Sequence, residues 1–431
     1  VLTGCVFENN NGQNYGGGIH NVSSSPVLTQ CMFSDNIADE FGGGGMSSLN
    51  SFPVLNGCMF ENNKSFLYGG AMLNDEGSSA SITSCHFMGN IAIQGGGVYI
   101  RDDTTTTIHD SFFESNKAWG DGAGIEIWDS SPSIINCIFS GNKADLNGGA
   151  IAVQDNSDVH LINCVLSANR AGLRGGGIHN DGAGSIVITN ATMSTNHADS
   201  IGGAIFNAQA AIIMTNSIIW RNSSGIETAT IAASISNDTD AITQIGYSLV
   251  ANAGGSASWN NEAGTDLGNN IDADPLFIQD GVIDTIPDPD MDLHLQELSS
   301  CINSGVTDTS GLGIPLVDID GQPRIVQNRI DMGAYEYQEL VYTHTVMQQN
   351  DWFVYPNPAN EFTEVFGSGH FGQLVIYNLK GQIVFRSNDQ TLDEMHGYHI
   401  SIAQWPQGVY TIQLMEEGKA ISSQKLVVVR E

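Results

Sequence analysis

Several acidic, basic and histidine side chains in the first half of the chain are of types that could transfer protons or hold an anionic ligand. They are His20, Arg101, Asp102, Asp103, Asp110, Glu126, Arg170, Arg174, His179 and Asp181. His20 and His179 occupy equivalent places in a repeated pattern, and Glu126 occupies that place in another copy. None of these residues forms a catalytic motif, so the sequence favours solvated surface groups over an assembled active site.

The elements that position these side chains are copies of one repeat of 26 or 27 residues. Each copy has a cysteine or a small residue, then an apolar residue two positions later and an asparagine five positions later. The cysteines are Cys5, Cys31, Cys58, Cys85, Cys137 and Cys164. The asparagines are Asn10, Asn36, Asn63, Asn90, Asn116, Asn142, Asn169, Asn196 and Asn222. Self-similarity at this period is the signature of a solenoid.

Short strands within each copy make this solenoid an all-β one. Alternate positions that end at the apolar residue, such as Val27, Thr29 and Phe33, are predicted to line the inner face of a strand. A second strand follows the glycine-rich patch at Ile19, with His20 on its outer face. Glycine is too frequent for a helical repeat. We therefore predict a parallel β-helix, whose nine copies extend over roughly 40 Å at about 4.8 Å per coil.

Equivalent side chains of successive coils then lie above one another. The asparagines are predicted to form a ladder at a bend, where each amide satisfies its neighbour's hydrogen-bonding groups. The phenylalanines form an apolar column, and the cysteines act as small buried apolar residues. Parallel side chains in register would strain a disulfide, so we expect free thiols. Both ladders are interpreted as structural rather than catalytic.

Composition excludes some classes of function. Acidic residues outnumber basic ones 47 to 14, which gives a formal net charge of −33. A nucleic-acid-binding protein has the opposite charge balance, so no nucleic-acid partner is predicted. The charge is compatible with bound calcium, but no EF-hand or nonapeptide motif is present, and no cofactor is predicted. No apolar run approaches 18 residues, so no transmembrane segment is predicted.

Four aromatic residues are the best candidates for ligand binding. They follow the cysteine position by about ten residues in four of the first five copies, and they are Tyr15, Phe41, Tyr68 and Trp119. If the register holds, they form an outward stripe beside the glycines, which suits sugar rings or a protein partner. The alternative is that the rings only stack on one another and shield the coil.

The first residues of the sequence already match the middle of a repeat. Val1 is not methionine, and residues 1–5 resemble residues 54–58. We expect part of a coil, a cap and a secretion signal to precede Val1. The end of the rod could also dock onto another subunit, which makes a self-assembling extracellular fibre one of the hypotheses.

The repeat Cys-x-Phe-x-x-Asn followed by Gly-Gly-Ala-Ile, as in residues 202–205, resembles two groups of proteins. These are the chlamydial polymorphic outer-membrane proteins and bacterial right-handed parallel β-helix surface proteins. The resemblance covers residues 1–225 and implies a right-handed β-helix. It implies little about function, because this fold carries lyases, hydrolases, adhesins and structural proteins.

The remaining sequence changes character. Residues 226–337 lose the regular period and are interpreted as irregular final coils and a cap, with a linker over residues 338–350. Residues 351–431 have Tyr-Pro-Asn-Pro-Ala at positions 355–359 and contain short alternating strands, which predicts a small Ig-like β-sandwich. They resemble the C-terminal sorting domain of type IX secretion cargo. That resemblance implies recognition by the secretion machinery and export in a Bacteroidota-type bacterium.

The sequence therefore favours a secreted cell-surface β-helix protein with a scaffold, adhesive or binding role toward glycans or surface proteins. A polysaccharide lyase or glycoside hydrolase acting in a surface groove is the alternative, and a self-assembling fibre subunit is the third hypothesis. The enzyme question is left open, with the residues favouring a non-enzyme.

Overall fold

The computed structural model of the protein divides into two compact units, Val1–Glu339 and Leu340–Glu431. It describes residues 1–102, 105–225, 230–280, 291–326, 329–338, 352–355, 357, 359–367, 369–371, 373–378, 380–387, 390–392, 398–416 and 419–430. Asp103, Pro356 and Pro358 lie outside the described residues. So does the predicted linker, apart from Gln338.

Four parallel sheets, here called A to D, run along the first unit, and each of the first nine coils contributes one strand to each. Sheet A has eleven strands, at Leu2–Thr3, Val27–Thr29, Val54–Asn56, Ser81–Thr83, Thr107–His109, Ser133–Ile135, Asp158–Ile162, Ser185–Thr189, Ala211–Thr215, Ile242–Gly246 and Thr265–Gly268. Sheet B has ten, at Val6–Glu8, Met32–Ser34, Met59–Glu61, His86–Met88, Phe112–Glu114, Ile138–Ser140, Val165–Ser167, Thr192–Ser194, Ile218–Trp220 and Leu249–Val250.

Sheets C and D complete the coil. Sheet C has nine strands, at Asn11–Gly12, Ile37–Ala38, Lys64–Ser65, Ile91–Ala92, Lys117–Ala118, Lys143–Ala144, Arg170–Ala171, His197–Ala198 and Ser223–Ser224. Sheet D has nine, at Ile19–Val22, Met46–Leu49, Met72–Asp75, Val98–Arg101, Ile125–Trp128, Ile151–Asp155, Ile178–Gly182, Ile205–Asn207 and Ile235–Asn237. The predicted parallel β-helix is confirmed.

An asparagine ladder forms the corner between sheets B and C. Each side-chain amide from Asn10 to Asn196 donates to the Oδ1 atom of the next asparagine at 2.9–3.0 Å. The same Oδ1 atom accepts the backbone N–H of the preceding asparagine, as Asn63 Oδ1 does from Asn36 at 3.1 Å. From Asn36 on, the ladder is buried. The side chains from Asn36 to Asn196 are therefore bonded to the coils on both sides, as Asn63 is to Phe33 and Asn90.

Apolar columns fill the interior. The rings of Phe7, Phe33, Phe60, Phe87, Phe113 and Phe139 stack with centroids 4.5–5.0 Å apart and nearly parallel planes. The cysteines are free thiols, and those from Cys31 to Cys164 are buried beside this column. Their Sγ atoms face backbone carbonyl oxygens, as Cys85 does at 3.3 Å from Thr83. Burial raises the pKa of Cys137 well above its usual value.

The prediction for the inner face of the first strand is wrong for the residues that precede the cysteine. Leu28 is fully buried, whereas its neighbours Val27 and Thr29 are only partly covered. The reason is the residue before each cysteine, which turns the corner between sheets A and B. Gln30 has a φ of 51° there. A left-handed residue interrupts strand alternation, so the inward set restarts at the cysteine.

Residues 226–337 contain both further coils and a lateral layer. Sheet A continues to Thr265–Gly268, and a short α-helix at Ile231–Ser234 and a 3-10 helix at Asn261–Ala263 pack on the end of the core with Trp259. The antiparallel strands Phe277–Gln279 and Asp292–Leu295 follow. They belong to an apolar cluster, with Cys301 and Met332, that covers the outer face of the last strands of sheet B.

Antiparallel strands build the second unit. A three-stranded sheet contains Trp352–Tyr355, Phe362–Gly367 and Tyr398–Ser401, and a four-stranded sheet contains Ile383–Arg386, Gln373–Asn378, Gly408–Glu416 and Lys419–Val428. Gly369–Phe371 and Gln390–Leu392 form a third pair. Val365, Leu374 and Ile412 belong to one shared core of buried side chains. This arrangement is consistent with the predicted small β-sandwich.

Replacing Asn116 with alanine is expected to destabilise the solenoid. Its Oδ1 atom accepts from the backbone and side chain of Asn90, both at 3.0 Å, and its amide donates to Phe87 and Asn142. Each group left unpaired costs about 1–3 kcal/mol. Urea unfolding followed by circular dichroism measures the loss. Asn56→Ala, at an exposed asparagine of sheet A, is the control. Equal stability of both variants would contradict the ladder's role.

Candidate functional site

The four aromatic residues predicted as a binding stripe lie on two different surfaces. Tyr15 and Tyr68 are in the turn before sheet D, where Tyr15 pairs with Gly42 and Gly42 pairs with Tyr68. Phe41 is one residue out of that register, because its coil has an additional glycine. Trp119 directly follows the sheet C strand Lys117–Ala118. The four rings therefore do not form one continuous stripe.

Tyr15 and Tyr68 pack on the outer side of sheet D. The Tyr15 ring stacks on His20 with centroids 5.2 Å apart, and on Phe41 at 5.0 Å. The Tyr68 ring contacts Tyr99 at 4.6 Å. These rings thus shield the coil, which is the packing alternative weighed from the sequence, although Phe41 itself stays 41% exposed.

Glu126 and His179 point outward from sheet D, yet neither is solvated as expected. Glu126 is 0% exposed, and His179 is 3% exposed. Neither carboxyl oxygen of Glu126 has a hydrogen-bond partner among the described residues, and the nearby Gly95 N–H donates to the Asp121 carbonyl instead. Burial, and then the charge of Asp121, raise the pKa of Glu126 well above its usual value. Burial and the charge of Arg174 lower the pKa of His179 to about 4.

Charged groups of the described residues converge at several places, and the clusters around Arg101 and His294 are paired internally. Arg101 donates to both carboxyl oxygens of Asp75, at 2.8 and 2.5 Å, and lies 3.9 Å from Asp102. His294 lies between Asp292 at 2.6 Å and Asp320 at 2.5 Å, so both ring nitrogens are engaged. Neither cluster leaves an unpaired group that could act on a substrate.

The other candidates for chemistry are dispersed. Asp110 accepts a hydrogen bond from Asn136 at 3.0 Å beside sheet A, and the Arg174 guanidinium lies 4.7 Å from the centre of the Phe206 ring. Arg170 pairs with Asp199 at 2.8 Å on sheet C, and Asp181 is exposed on sheet D. Within the described ranges, no group of three or more histidine, cysteine or acidic side chains is placed to hold a metal ion.

A depression on the outer face of sheet C, here called the aromatic depression, brings exposed rings together with charges. It has a volume of about 360 Å³ and is lined by Ile37, Ala38, Asp39, Lys64, Phe66 and Trp119. Phe66 is 55% exposed and Trp119 is 40% exposed. The Lys64 ammonium lies 5.5 Å from the centre of the Trp119 indole. An apolar floor with one acidic and one basic group at its edge can hold a ligand with both apolar and polar faces.

Sequence reasoning found Trp119 but missed Phe66, Ile37 and Lys64. The missed signal is positional, because Phe66 and Trp119 both follow the cysteine position by eight residues. Residues at this offset point outward from sheet C, since the alanines or serines before them are buried. Reading outward positions coil by coil would have assigned Trp119 to the row of Phe66 rather than to that of Tyr15.

Three family models match the chain. Residues 1–133 match the right-handed β-helix region, and residues 136–154 match the chlamydial polymorphic membrane protein repeat. Residues 353–429 match the secretion system C-terminal sorting domain. The chain joins a right-handed β-helix to a sorting domain. The resemblances drawn from the sequence are thereby confirmed, and no curated protein matches the chain significantly.

The sorting domain indicates where the cell delivers the β-helix. It implies recognition by the secretion machinery of a Bacteroidota-type bacterium, with export to the cell surface or beyond it. In the part of the chain that the structure describes, no helix is long and apolar enough to cross a membrane. The sorting domain and the β-helix together indicate a secreted or surface β-helix protein.

Glu126→Ala is expected to stabilise the β-helix at alkaline pH. Because the folded protein holds the Glu126 proton more tightly than the unfolded chain, this carboxyl destabilises the fold increasingly as pH rises above its unfolded pKa of about 4.3. Alanine occupies the equivalent position, Ala152, in the next coil. We expect the variant to gain up to about 1.4 kcal/mol over the wild type for each pH unit between the unfolded and the folded pKa of Glu126, and little pH-dependent gain near pH 4, where the carboxyl is largely protonated in both states.

Thermal unfolding at both pH values measures this difference. The control is Glu61→Ala, which removes a partly exposed carboxyl from sheet B and should change stability little at either pH. If Glu126→Ala destabilised the protein equally at both pH values, the burial of a neutral carboxyl would be contradicted.

Proposed function

We propose that this protein is a surface-exposed scaffold that binds a glycan in the aromatic depression of sheet C. The observation that carries the proposal is the pair of exposed rings, Phe66 and Trp119, in one row of a regular sheet face. Flat aromatic rings pack against the apolar faces of sugars, and nearby charged groups hydrogen-bond their hydroxyls. Asp39 and Lys64 supply an acceptor and a donor at the same depression.

The rigidity of the sheet supports binding without rearrangement. The Phe66 N–H donates to the Ala38 carbonyl at 3.0 Å, and the Trp119 N–H donates to the Ala92 carbonyl at 3.0 Å. The main chain that carries each ring is thus fixed by an earlier coil, so little backbone entropy is lost when a ligand binds. A preformed surface of this kind suits a scaffold or adhesive role at the cell surface.

The two other hypotheses remain predictions with less support. A lyase or hydrolase needs free acid and base groups beside a substrate, whereas the Arg101 and His294 clusters are paired internally and Glu126 is inaccessible. End-to-end assembly into a fibre rests on the sequence alone. Turnover of any polysaccharide by the full chain would favour the enzyme hypothesis over the scaffold.

Trp119→Ala is expected to weaken glycan binding by the full chain at least about tenfold, which corresponds to 1.4 kcal/mol. Retention on a glycan array, followed by titration calorimetry with the retained glycan, measures this loss. The control is Phe112→Ala in the same coil, because Phe112 is a comparably exposed ring on sheet B. Equal binding by the two variants would contradict a site at the aromatic depression.

A further inference from the structure

Four basic side chains stack on the outer face of sheet C, and they are here called the basic column. They are Lys64, Lys117, Lys143 and Arg170, each six residues after the cysteine position. Ile91 occupies the register between Lys64 and Lys117, and His197 follows Arg170 in the next coil. Only 14 lysines and arginines occur in the whole chain, so this one line holds a large share of its positive charge.

The basic column is contiguous with the aromatic depression. Lys64 belongs to both, and Trp119 lies two residues after Lys117 on the same strand edge. The column spans four steps of the coil, or roughly 19 Å at the strand spacing of a sheet. It is one residue wide, so its charges form a line parallel to the rod rather than a patch.

Acidic side chains in the adjacent row partly neutralise the column. Lys117 lies 3.8 Å from Asp145, and Arg170 lies 2.8 Å from Asp199. These pairs are exposed, and exposed pairs contribute only about 0–1 kcal/mol each. Lys143 is exposed between them, and no acidic partner is found for it within the described residues. An incoming anion can therefore replace Asp145 and Asp199 at little cost.

We propose that the glycan bound by sheet C is an anionic polysaccharide that lies along the rod. Its carboxylate or sulfate groups contact the basic column, and its sugar faces pack on Phe66 and Trp119. This inference rests on the proposed function and adds the chemical class of the ligand. A linear polyanion presents charges at regular intervals, which matches a line of cations repeated once per coil.

The surroundings of the column favour a narrow ligand. The chain as a whole carries a formal charge of −33, so a broad acidic partner would meet repulsion on either side of the column. A single polysaccharide strand keeps its anionic groups within reach of the basic side chains. The exposed rings beside the column add contacts that a flexible acidic polypeptide without sugar rings would not use.

The decisive experiment compares one neutral polysaccharide with two anionic ones, of which dextran sulfate shares the backbone of dextran. Binding of the full chain to dextran, dextran sulfate and polygalacturonate is measured by affinity electrophoresis at about 50 mM and about 300 mM salt, where screening differs strongly. We expect at least one of the two anionic polymers to bind at least tenfold more tightly than dextran at low salt, with much of that preference lost at high salt. Their relative affinity distinguishes sulfate from carboxylate.

Substitutions of charged residues test whether the basic column binds the anionic polymer. Lys143→Gln with Arg170→Gln is expected to reduce binding of the anionic polymer at least tenfold, whereas Lys380→Gln with Arg386→Gln is expected to leave it unchanged. The second pair makes the same change in net charge at exposed sites of the sorting domain. Asp145→Asn with Asp199→Asn is expected to strengthen binding severalfold, because it removes the competing carboxylates. This expected gain cannot come from misfolding.

The outcomes separate the two proposals. Binding of neutral dextran as tight as that of the anionic polymers, with Trp119→Ala still weakening it, would overturn the anionic ligand and leave the proposed function intact. Absence of binding to any glycan on the array or to these polymers would overturn both. Binding of poly-glutamate as tight as that of polygalacturonate would show that charge alone suffices, and would overturn the assignment to a polysaccharide.

Discussion

The asparagine ladder is the interaction on which the rest of the β-helix depends. Its amides bond each coil to the next at the corner between sheets B and C, and so hold the 26- or 27-residue coils in one fixed register. Because the ladder fixes the vertical register, side chains of sheets B and C at a given offset from the asparagine lie above their equivalents. The stacked phenylalanines, the buried thiols and the exposed rows of sheet C all follow from that alignment.

Much of this architecture could be predicted because the same residue types recur at the same positions of successive copies of the repeat. The period, the asparagines and the phenylalanine column need only identical residues at identical offsets, and sequence reasoning found them. It failed where the backbone departs from simple alternation. Gln30 adopts a left-handed conformation, which reverses the inward set before Cys31. The additional glycine beside Phe41 moves that ring out of the register of Tyr15. Neither the left-handed residue nor the additional glycine changes the spacing of 26 or 27 residues between successive cysteine positions.

The surfaces were harder to predict than the interior for a different reason. Whether an outward side chain is solvated depends on what the rest of the coil places over it. Glu126 and His179 face away from sheet D, yet the turn that precedes the sheet buries them. The last strands of sheet B are likewise covered by residues from 291–337, which lie far away in sequence. The candidate site was therefore only partly predictable, with Trp119 found and its neighbours missed.

Repetition also explains how so acidic a chain can present a cationic line. A single position of the repeat, occupied by a basic residue in several copies, becomes a row of charges. Lys117, Lys143 and Arg170 follow one another at the strand spacing of about 4.8 Å, which is less than the Debye length of about 8 Å at physiological salt. Such a row repels itself, and the acidic residues two positions later, Asp145 and Asp199, offset that repulsion. They do so at the surface, where pairing is weak. A ligand anion that supplies the same compensation can take their place, so the local charge of sheet C outweighs the net charge of the chain in deciding what binds there.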